Sequence, residues 1–343
     1  MTNDRIQDLL QRPMGSLRLS VTDRCNLRCG YCMPEASYTW LPRQDILTFE
    51  ELTRLARIFS HLGVKRLRLT GGEPLLRQSL HELITMLKDI GGIADLAMTT
   101  NGLLLARQAD ALKDAGLNRL TVSLDSLEAD RFSRLTRGGN LSHAIEGIQA
   151  VGRLGFKGTK INMVVMAGVN DNELVPMLRF GQEEGIEIRF IEYMDVGGAT
   201  DWTMNDVVSR DAMLASITSQ LGPIEVLDEG GRAPARRYRT AEGQVFGIIA
   251  STTAPFCGDC DRSRITADGR WLTCLYDPTG LDMRTHLRSA DDDETIHGVI
   301  KTHWQARRDQ GAVERLNHAQ RGQWVSVEAL RQNPHLEMHT RGG

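Results

Sequence analysis

The chain has no run of about eighteen apolar residues, so no segment reads as a transmembrane helix. It has no basic, apolar leader either: about fifteen residues of mixed polarity precede the first strand candidate. A cytoplasmic protein with no membrane partner is therefore expected. Charge of one sign is scarce, with a net charge of −3 over 343 residues and no basic stripe or acidic tail, which argues against a nucleic-acid partner. No Gly-x4-Gly-Lys-Ser/Thr loop is present, which excludes a P-loop nucleotide site. Apolar residues still make up 41%, enough for one large domain or two ordinary ones.

A further absence is more informative. The six cysteines fall into two triplets, and neither has an evident fourth ligand. Cys25, Cys29 and Cys32 lie within CNLRCGYC, separated by three residues and then two, and the next histidine is His61. Cys257, Cys260 and Cys274 are separated by two residues and then thirteen. Zinc needs a fourth ligand to close its tetrahedron. A [4Fe–4S] cluster can take three protein thiolates and leave one iron open, and closely spaced cysteines are its usual ligands. In a cytosolic chain, clustered cysteines point to metal before disulfides. A zinc knuckle or ribbon is the bland alternative at both places.

The apolar pattern alternates between strands and helices. Strands are expected at 16–21, 66–70, 95–99, 120–124, 160–166 and 187–192. Helices are expected at 48–62, 79–89, 103–115, 141–153 and 172–184, with Thr48 as an N-cap and Gly63, Gly116 and Gly185 as stops. Such alternation argues for parallel strands in βα units. Glycine-rich and polar signals gather at the strand ends, as on the C-terminal rim of a barrel. Six units suggest a partial (β/α)6 barrel, with a flavodoxin-like open sheet as the alternative. Beyond about residue 200 the pattern changes. Short, antiparallel-looking strands are expected at 223–228, 235–240 and 244–250, another at 270–275, and helices from about 281. The expected division is residues 1–200 as the barrel and 201–343 as an extension that covers its open side and carries the second cluster. Six of the nine histidines lie from His286 onward, at spacings that suit surface or capping positions better than a metal.

Gly71-Gly72-Glu73-Pro74 follows the second strand; its glycines permit close approach of a ligand, and its carboxylate or nearby carbonyls can accept from an ammonium. Ser123 and Asp125 end the fourth strand, and Met194 follows the sixth; each alone suits packing or capping. Arg18, Arg68 and Lys160 lie on strands, while Arg262 and Arg264 flank Ser263 just beyond Cys260. Several basic residues near one rim imply an anionic ligand, since a buried unpaired cation is costly and Arg forks suit phosphate. Taken singly, each reads as an ordinary surface charge.

The Cys-x3-Cys-x2-Cys spacing, with Tyr31 before its third cysteine and Gly-Gly-Glu about forty residues on, resembles the radical S-adenosylmethionine (SAM) enzymes. TDRCNLRCGYCMP at 22–34, LTGGEPLLR at 69–77, MTTNG at 98–102, VSLDS at 122–126, RFIEYMDVGG at 189–198, CGDCDRSRIT at 257–266 and the closing Gly-Gly extend the resemblance to the GTP 3′,8-cyclases of molybdenum cofactor biosynthesis. That resemblance implies a partial (β/α)6 TIM-like barrel, two [4Fe–4S] clusters and SAM. Cys25, Cys29 and Cys32 would hold the SAM cluster, and Cys257, Cys260 and Cys274 the auxiliary cluster, whose open iron meets guanine. Tyr31, Gly72, Ser123 and Met194 match SAM contacts. Arg18, Arg68, Thr99, Lys160, Arg262, Ser263 and Arg264 match GTP contacts, and the tail residues Gly342 and Gly343 are needed for radical chemistry. No protein acid or base is implied. Reductive SAM cleavage gives a 5′-deoxyadenosyl radical that takes the ribose C3′ hydrogen of GTP, and C3′ closes on guanine C8 to give 3′,8-cyclo-7,8-dihydro-GTP. A homodimer, a flavodoxin or ferredoxin donor, and delivery of the product to a cyclic pyranopterin monophosphate synthase are implied with it. Two small departures are Gly30, where a bulkier residue is common, and Arg341, where an apolar one often precedes the tail glycines.

Overall fold

The computed structural model describes residues 6–35, 37–227, 230–318 and 321–342. Strand β1 (Ser16–Ser20) leads through the first cysteine loop to α1 (Phe49–His61). Thr48 caps α1 in a reciprocal box with Glu51. There follow β2 (Arg66–Thr70), α2 (Leu80–Lys88), β3 (Asp95–Thr100), α3 (Leu105–Asp114) and β4 (Arg119–Ser123). Two helices, α4 (Ala129–Thr136) and α5 (Leu141–Arg153), precede β5 (Lys160–Val165), α6 (Leu174–Glu183) and β6 (Glu187–Glu192). These six strands pair in sequence order, all parallel. The order lacks the reversal that defines an open doubly wound sheet, so the barrel expectation stands over the flavodoxin-like one.

The remaining strands extend this sheet at both ends. After α7 (Arg210–Leu221), the strands β7 (Ile224–Leu227), β8 (Arg236–Thr240) and β9 (Val245–Ile249) form an antiparallel meander, and β9 joins β6 in parallel. Position 228, at the expected end of β7, lies outside the described residues. Strand β10 (Arg262–Ile265) joins β1, also in parallel, and is followed by antiparallel β11 (Arg270–Leu272) and β12 (Leu281–Asp282). The strand expected over 270–275 therefore stops at Leu272, and Cys274 sits in the turn beyond it. Eight neighbouring strands, from β10 through β1–β6 to β9, run the same way within a twelve-stranded sheet. Helices α8 (Met283–Arg288), α9 (Asp293–Gln305), α10 (Gly311–Leu316), α11 (Val327–Gln332) and α12 (Met338–Arg341) complete the chain. No helix among the described residues is long and apolar enough to cross a membrane.

Side-chain alternation sorts the two faces of the barrel. On β5, Ile161, Met163 and Val165 face the helices and are buried, whereas Lys160, Asn162 and Val164 line a central cavity. On β1, Leu17 and Leu19 join the core and Arg18 faces inward; on β6, Ile188 and Phe190 join it and Arg189 faces inward. The apolar core thus lies between strands and helices, and the interior is left polar and open.

Candidate active site

A cavity of about 590 Å³ fills the barrel, and all six cysteines line it. Two segments build its first cysteine loop. Gly72 N–H donates to Thr22 O (2.9 Å) and Glu73 N–H to Arg24 O (2.8 Å), stitching the Gly-Gly-Glu turn to the residues just before Cys25. A Cβ at Gly72 would stand 2.6 Å from the Arg24 carbonyl carbon, so no other residue permits this contact. Within the loop, Cys29 O accepts from the N–H groups of Cys32 (2.9 Å) and Met33 (2.7 Å), a tight turn that brings three thiols to one wall. Glu73 is buried and accepts from Thr100 Oγ1 (2.7 Å), Asn101 N (2.7 Å) and Leu75 N (3.0 Å). Burial nevertheless pushes its carboxyl up to about 7.

Tyr31, Gly72, Ser123 and Met194 all reach the cavity beside this loop. Tyr31 donates to Asp125 Oδ2 (2.5 Å), and Asp125 also accepts from Val164 N (2.8 Å). Burial raises the Asp125 carboxyl to about 6.

At the opposite wall, burial raises the Cys274 thiol to about 11. Cys260 goes the other way: burial opposes ionisation, but the guanidinium groups of Arg262 and Arg307 win and bring the thiol down to about 7. Among the described residues no three His, Cys, Asp or Glu side chains are grouped to hold a single metal ion. Each triplet offers three thiols, one short of the tetrahedral set that zinc takes. Three thiols suit a [4Fe–4S] cluster with one open iron, whose positive charge would offset the burial that keeps Cys25 up at about 11.

Between the two walls lies a row of like charges. Arg264 pairs in register with Arg18, and Arg18 with Arg68, on three adjacent strands. All three face the cavity, with Arg262 one alternation away. Like charges directly opposite on neighbouring strands repel. Burial, then repulsion from Arg18, brings Arg68 down to about 9; burial, then Arg262 and Arg341, brings Arg264 to about 10; burial, then Arg264 and Arg262, lowers Arg18 as well. Arg68 donates only to the hydroxyls of Thr99 (3.1 Å) and Thr121 (3.0 Å). Lys160 is lowered to about 8, chiefly by burial and then by Arg189. Ser263 does not join them: it sits opposite Leu17 on the other face of β10 and is absent from the cavity lining.

Sequence reasoning passed over Arg66, Arg119 and Arg189, which also line the cavity. Period-two placement on strands, as in RLRLT and EIRFIE, was the signal that could have found them. Each has an acidic partner, Asp261, Asp95 and Glu187 respectively, which the row Arg264–Arg18–Arg68 lacks among the described residues.

The C-terminal segment enters the barrel from its rim. Arg341 is fully buried and donates through Nη1 to the carbonyls of Leu275 and Asp277 (2.8 Å each), with its guanidinium over the Trp324 ring. Arg264 donates to Arg341 O (3.0 Å), and both Arg18 and Arg264 donate to Gly342 O (3.4 Å). Gly343 lies outside the described residues. His339 corrects the expectation for the late histidines: it is buried, lines the cavity and packs edge-on against Tyr38.

Two family models divide the chain. Residues 19–181 match the radical SAM superfamily, and residues 186–313 match a molybdenum cofactor synthesis C-terminal family. GTP 3′,8-cyclase 1 of Mycobacterium tuberculosis is 48% identical over 343 residues, covering 99% of this chain and 96% of that protein. The chain belongs to the GTP 3′,8-cyclases of the radical SAM superfamily. GTP 3′,8-cyclase of Staphylococcus epidermidis is 42% identical over 318 residues, covering 90% of this chain and 93% of that protein. The fold is shared more widely: Streptococcus suis SuiB, solved bound to S-adenosylmethionine, superposes with a TM-score of 0.59 at 16% identity, covering 90% of this chain and 71% of that one. As a radical SAM enzyme of this family, the cyclase uses SAM and [4Fe–4S] clusters as cofactors.

Proposed function

We propose that this cyclase converts GTP to 3′,8-cyclo-7,8-dihydro-GTP, the first step of molybdenum cofactor biosynthesis. The observation that carries the reading is the row Arg264–Arg18–Arg68, without an acidic partner among the described residues, between two cysteine walls in one cavity. Cys25, Cys29 and Cys32 would hold the SAM cluster and Cys257, Cys260 and Cys274 the auxiliary one. With SAM bound, the first supplies a hydrogen-abstracting 5′-deoxyadenosyl radical.

The chain's own residues bind and orient. Gly72 lines the SAM side with the backbone of a turn closed on the Arg24 carbonyl, Glu73 accepts from the SAM ammonium, and Tyr31, Ser123 and Met194 wall its nucleoside. Arg18, Arg68, Lys160, Arg262 and Arg264 take the triphosphate and ribose side of GTP, with Thr99 orienting Arg68. Ser263 contributes through its backbone if at all, since its side chain faces away. The tail through Gly342 closes the rim and excludes water, and Gly343 is needed with it for radical chemistry. We further place the division of the chain near residue 200, and read the enzyme as a cytoplasmic homodimer, reduced by a flavodoxin or ferredoxin and feeding a cyclic pyranopterin monophosphate synthase.

Anaerobic reconstitution with SAM, a reductant and GTP tests the assignment. 5′-Deoxyadenosine release that depends on GTP supports it. Release indifferent to GTP would reassign the chain to another radical SAM reaction, and no release would make it a non-catalytic iron–sulfur protein.

A further inference from the structure

A network of four charges, three of them buried, lies behind the auxiliary cysteine wall. Asp8 and Arg12 are both fully buried and pair at 2.6 Å. Arg307, almost as buried, approaches the same Asp8 oxygen at 3.3 Å and Asp309 Oδ1 at 3.2 Å. Trp304 fixes both cations: its indole N–H donates to Arg12 O (3.2 Å), and its ring lies under the Arg307 guanidinium (4.5 Å). Gln11 adopts a positive φ of 60° to turn the chain so that Arg12 points inward.

The outward ends of this network reach the backbone of two of the cysteines and the neighbour of the third. Arg12 Nη1 donates to Cys257 O (2.9 Å). Arg307 Nη1 donates to Cys260 O (2.8 Å). Asp309 Oδ2 accepts from the hydroxyl of Thr273 (2.7 Å), the residue before Cys274. The three cysteines come from two chain segments, and the groups that grip them come from two more. A carbonyl held by a guanidinium fixes the backbone of its residue, and with it the direction of the thiol. Outer-shell contacts of this kind set ligand orientation in metal sites.

We propose that Asp8, Arg12, Arg307 and Asp309 form a template that presets the spacing of Cys257, Cys260 and Cys274, making the N-terminal segment 6–14 part of the auxiliary cluster site. These are positioning residues. None of the four lines the cavity, and the first cysteine loop has its own clamp, Arg28, which donates to Cys25 O (2.9 Å) and Leu27 O (2.8 Å).

The inference rests on the assignment of the second triplet as a cluster site, and the experiment separates the two. In a Cys29→Ser background the remaining iron is auxiliary; in a Cys260→Ser background it belongs to the SAM cluster. Iron transfer to an anaerobic ferrous chelator is timed in both, with circular dichroism as the check on fold. Arg12→Met and Thr273→Val should speed auxiliary iron loss about 10- to 100-fold, with Arg12→Lys intermediate and SAM-cluster iron unaffected. Thr273→Val removes one hydroxyl without breaking the ion pairs, so it carries the test where Arg12→Met does not fold. If Cys29→Ser alone strips all the iron, the two-site assignment falls, and the template with it. If auxiliary iron stays but leaves the Thr273→Val protein no faster, or both clusters are loosened equally, only the template falls.

Discussion

Substituting Gly342 by alanine tests how the tail closes the site. Gly342 has φ +68°, in the left-handed region, where an L side chain costs roughly 1–2 kcal/mol. An added Cβ would also collide with Thr70 Oγ1, and would stand 3.2 Å from Ser20 Oγ and 3.3 Å from Thr70 Cβ. Thr70 closes β2 and is itself buried, so it has little room to yield. Overpacking of this kind costs about 1–3 kcal/mol. Together the two effects weaken docking by about 2–5 kcal/mol, a shift of roughly 30- to 4,000-fold in the docked-to-undocked ratio at 1.4 kcal/mol per tenfold. Fold, iron content and GTP affinity should stay near normal while cyclised product falls by the same order. Hydrogen exchange over 337–342 should rise, and Trp324 emission should change as Arg341 leaves its ring. A short peptide ending in the same residues should restore part of the activity. Full turnover by Gly342→Ala, or by a chain truncated after Thr340, would refute the reasoning and leave the tail a passive end.

Arg262→Ala or Arg264→Ala removes a charge-assisted bond worth about 1.5–3 kcal/mol, so GTP affinity by equilibrium dialysis should fall about tenfold to a hundredfold with SAM binding unchanged; unchanged GTP affinity would return both to ordinary charges. Cys29→Ser should remove about half the iron and abolish SAM cleavage, whereas Cys260→Ser should keep the first cluster and lose GTP binding; loss of all iron from either folded variant would contradict two independent sites. Glu73 has a carboxyl raised to about 7, and the ionised form is the one that accepts from the SAM ammonium. Below that pH, binding must first expel a proton, so SAM affinity should weaken by up to about tenfold per pH unit and level off above it. Glu73→Gln should bind less tightly and show no such slope; an equally flat profile in the unmodified enzyme would remove Glu73 from the SAM site.

What the sequence could and could not reveal follows from physics at particular residues. Helix α1 was legible to within a residue because Thr48 and Glu51 cap it and its apolar residues recur at three and four. Helix α4 was not, since it buries only Phe132 and Thr136, and α7 buries only Met213 and Ile217, too few to set a period. Strand β10 hid for the opposite reason: Arg262 and Arg264 read as surface charge until a polar barrel interior gives them a place. The cysteine triplets were visible because their spacing is local. The partnership of β10 with β1 and of β9 with β6 was not, because parallel pairing between strands far apart in sequence leaves no local mark. The template behind Cys257 was hidden likewise, as Arg12 and Arg307 meet only in three dimensions.

The row Arg264–Arg18–Arg68 has a consequence for handling the enzyme. Among the described residues these guanidinium groups have no acidic partner, so an anion that neutralises them should raise the melting temperature by mass action. Inorganic pyrophosphate and sulfate offer the same oxygens as a nucleotide, so they should act both as stabilisers in storage and as competitive inhibitors in assays. Protein taken from a lysate should carry polyphosphate anions with it, and a thermal-shift screen against simple salts would reveal the substrate pocket before any cluster has been rebuilt.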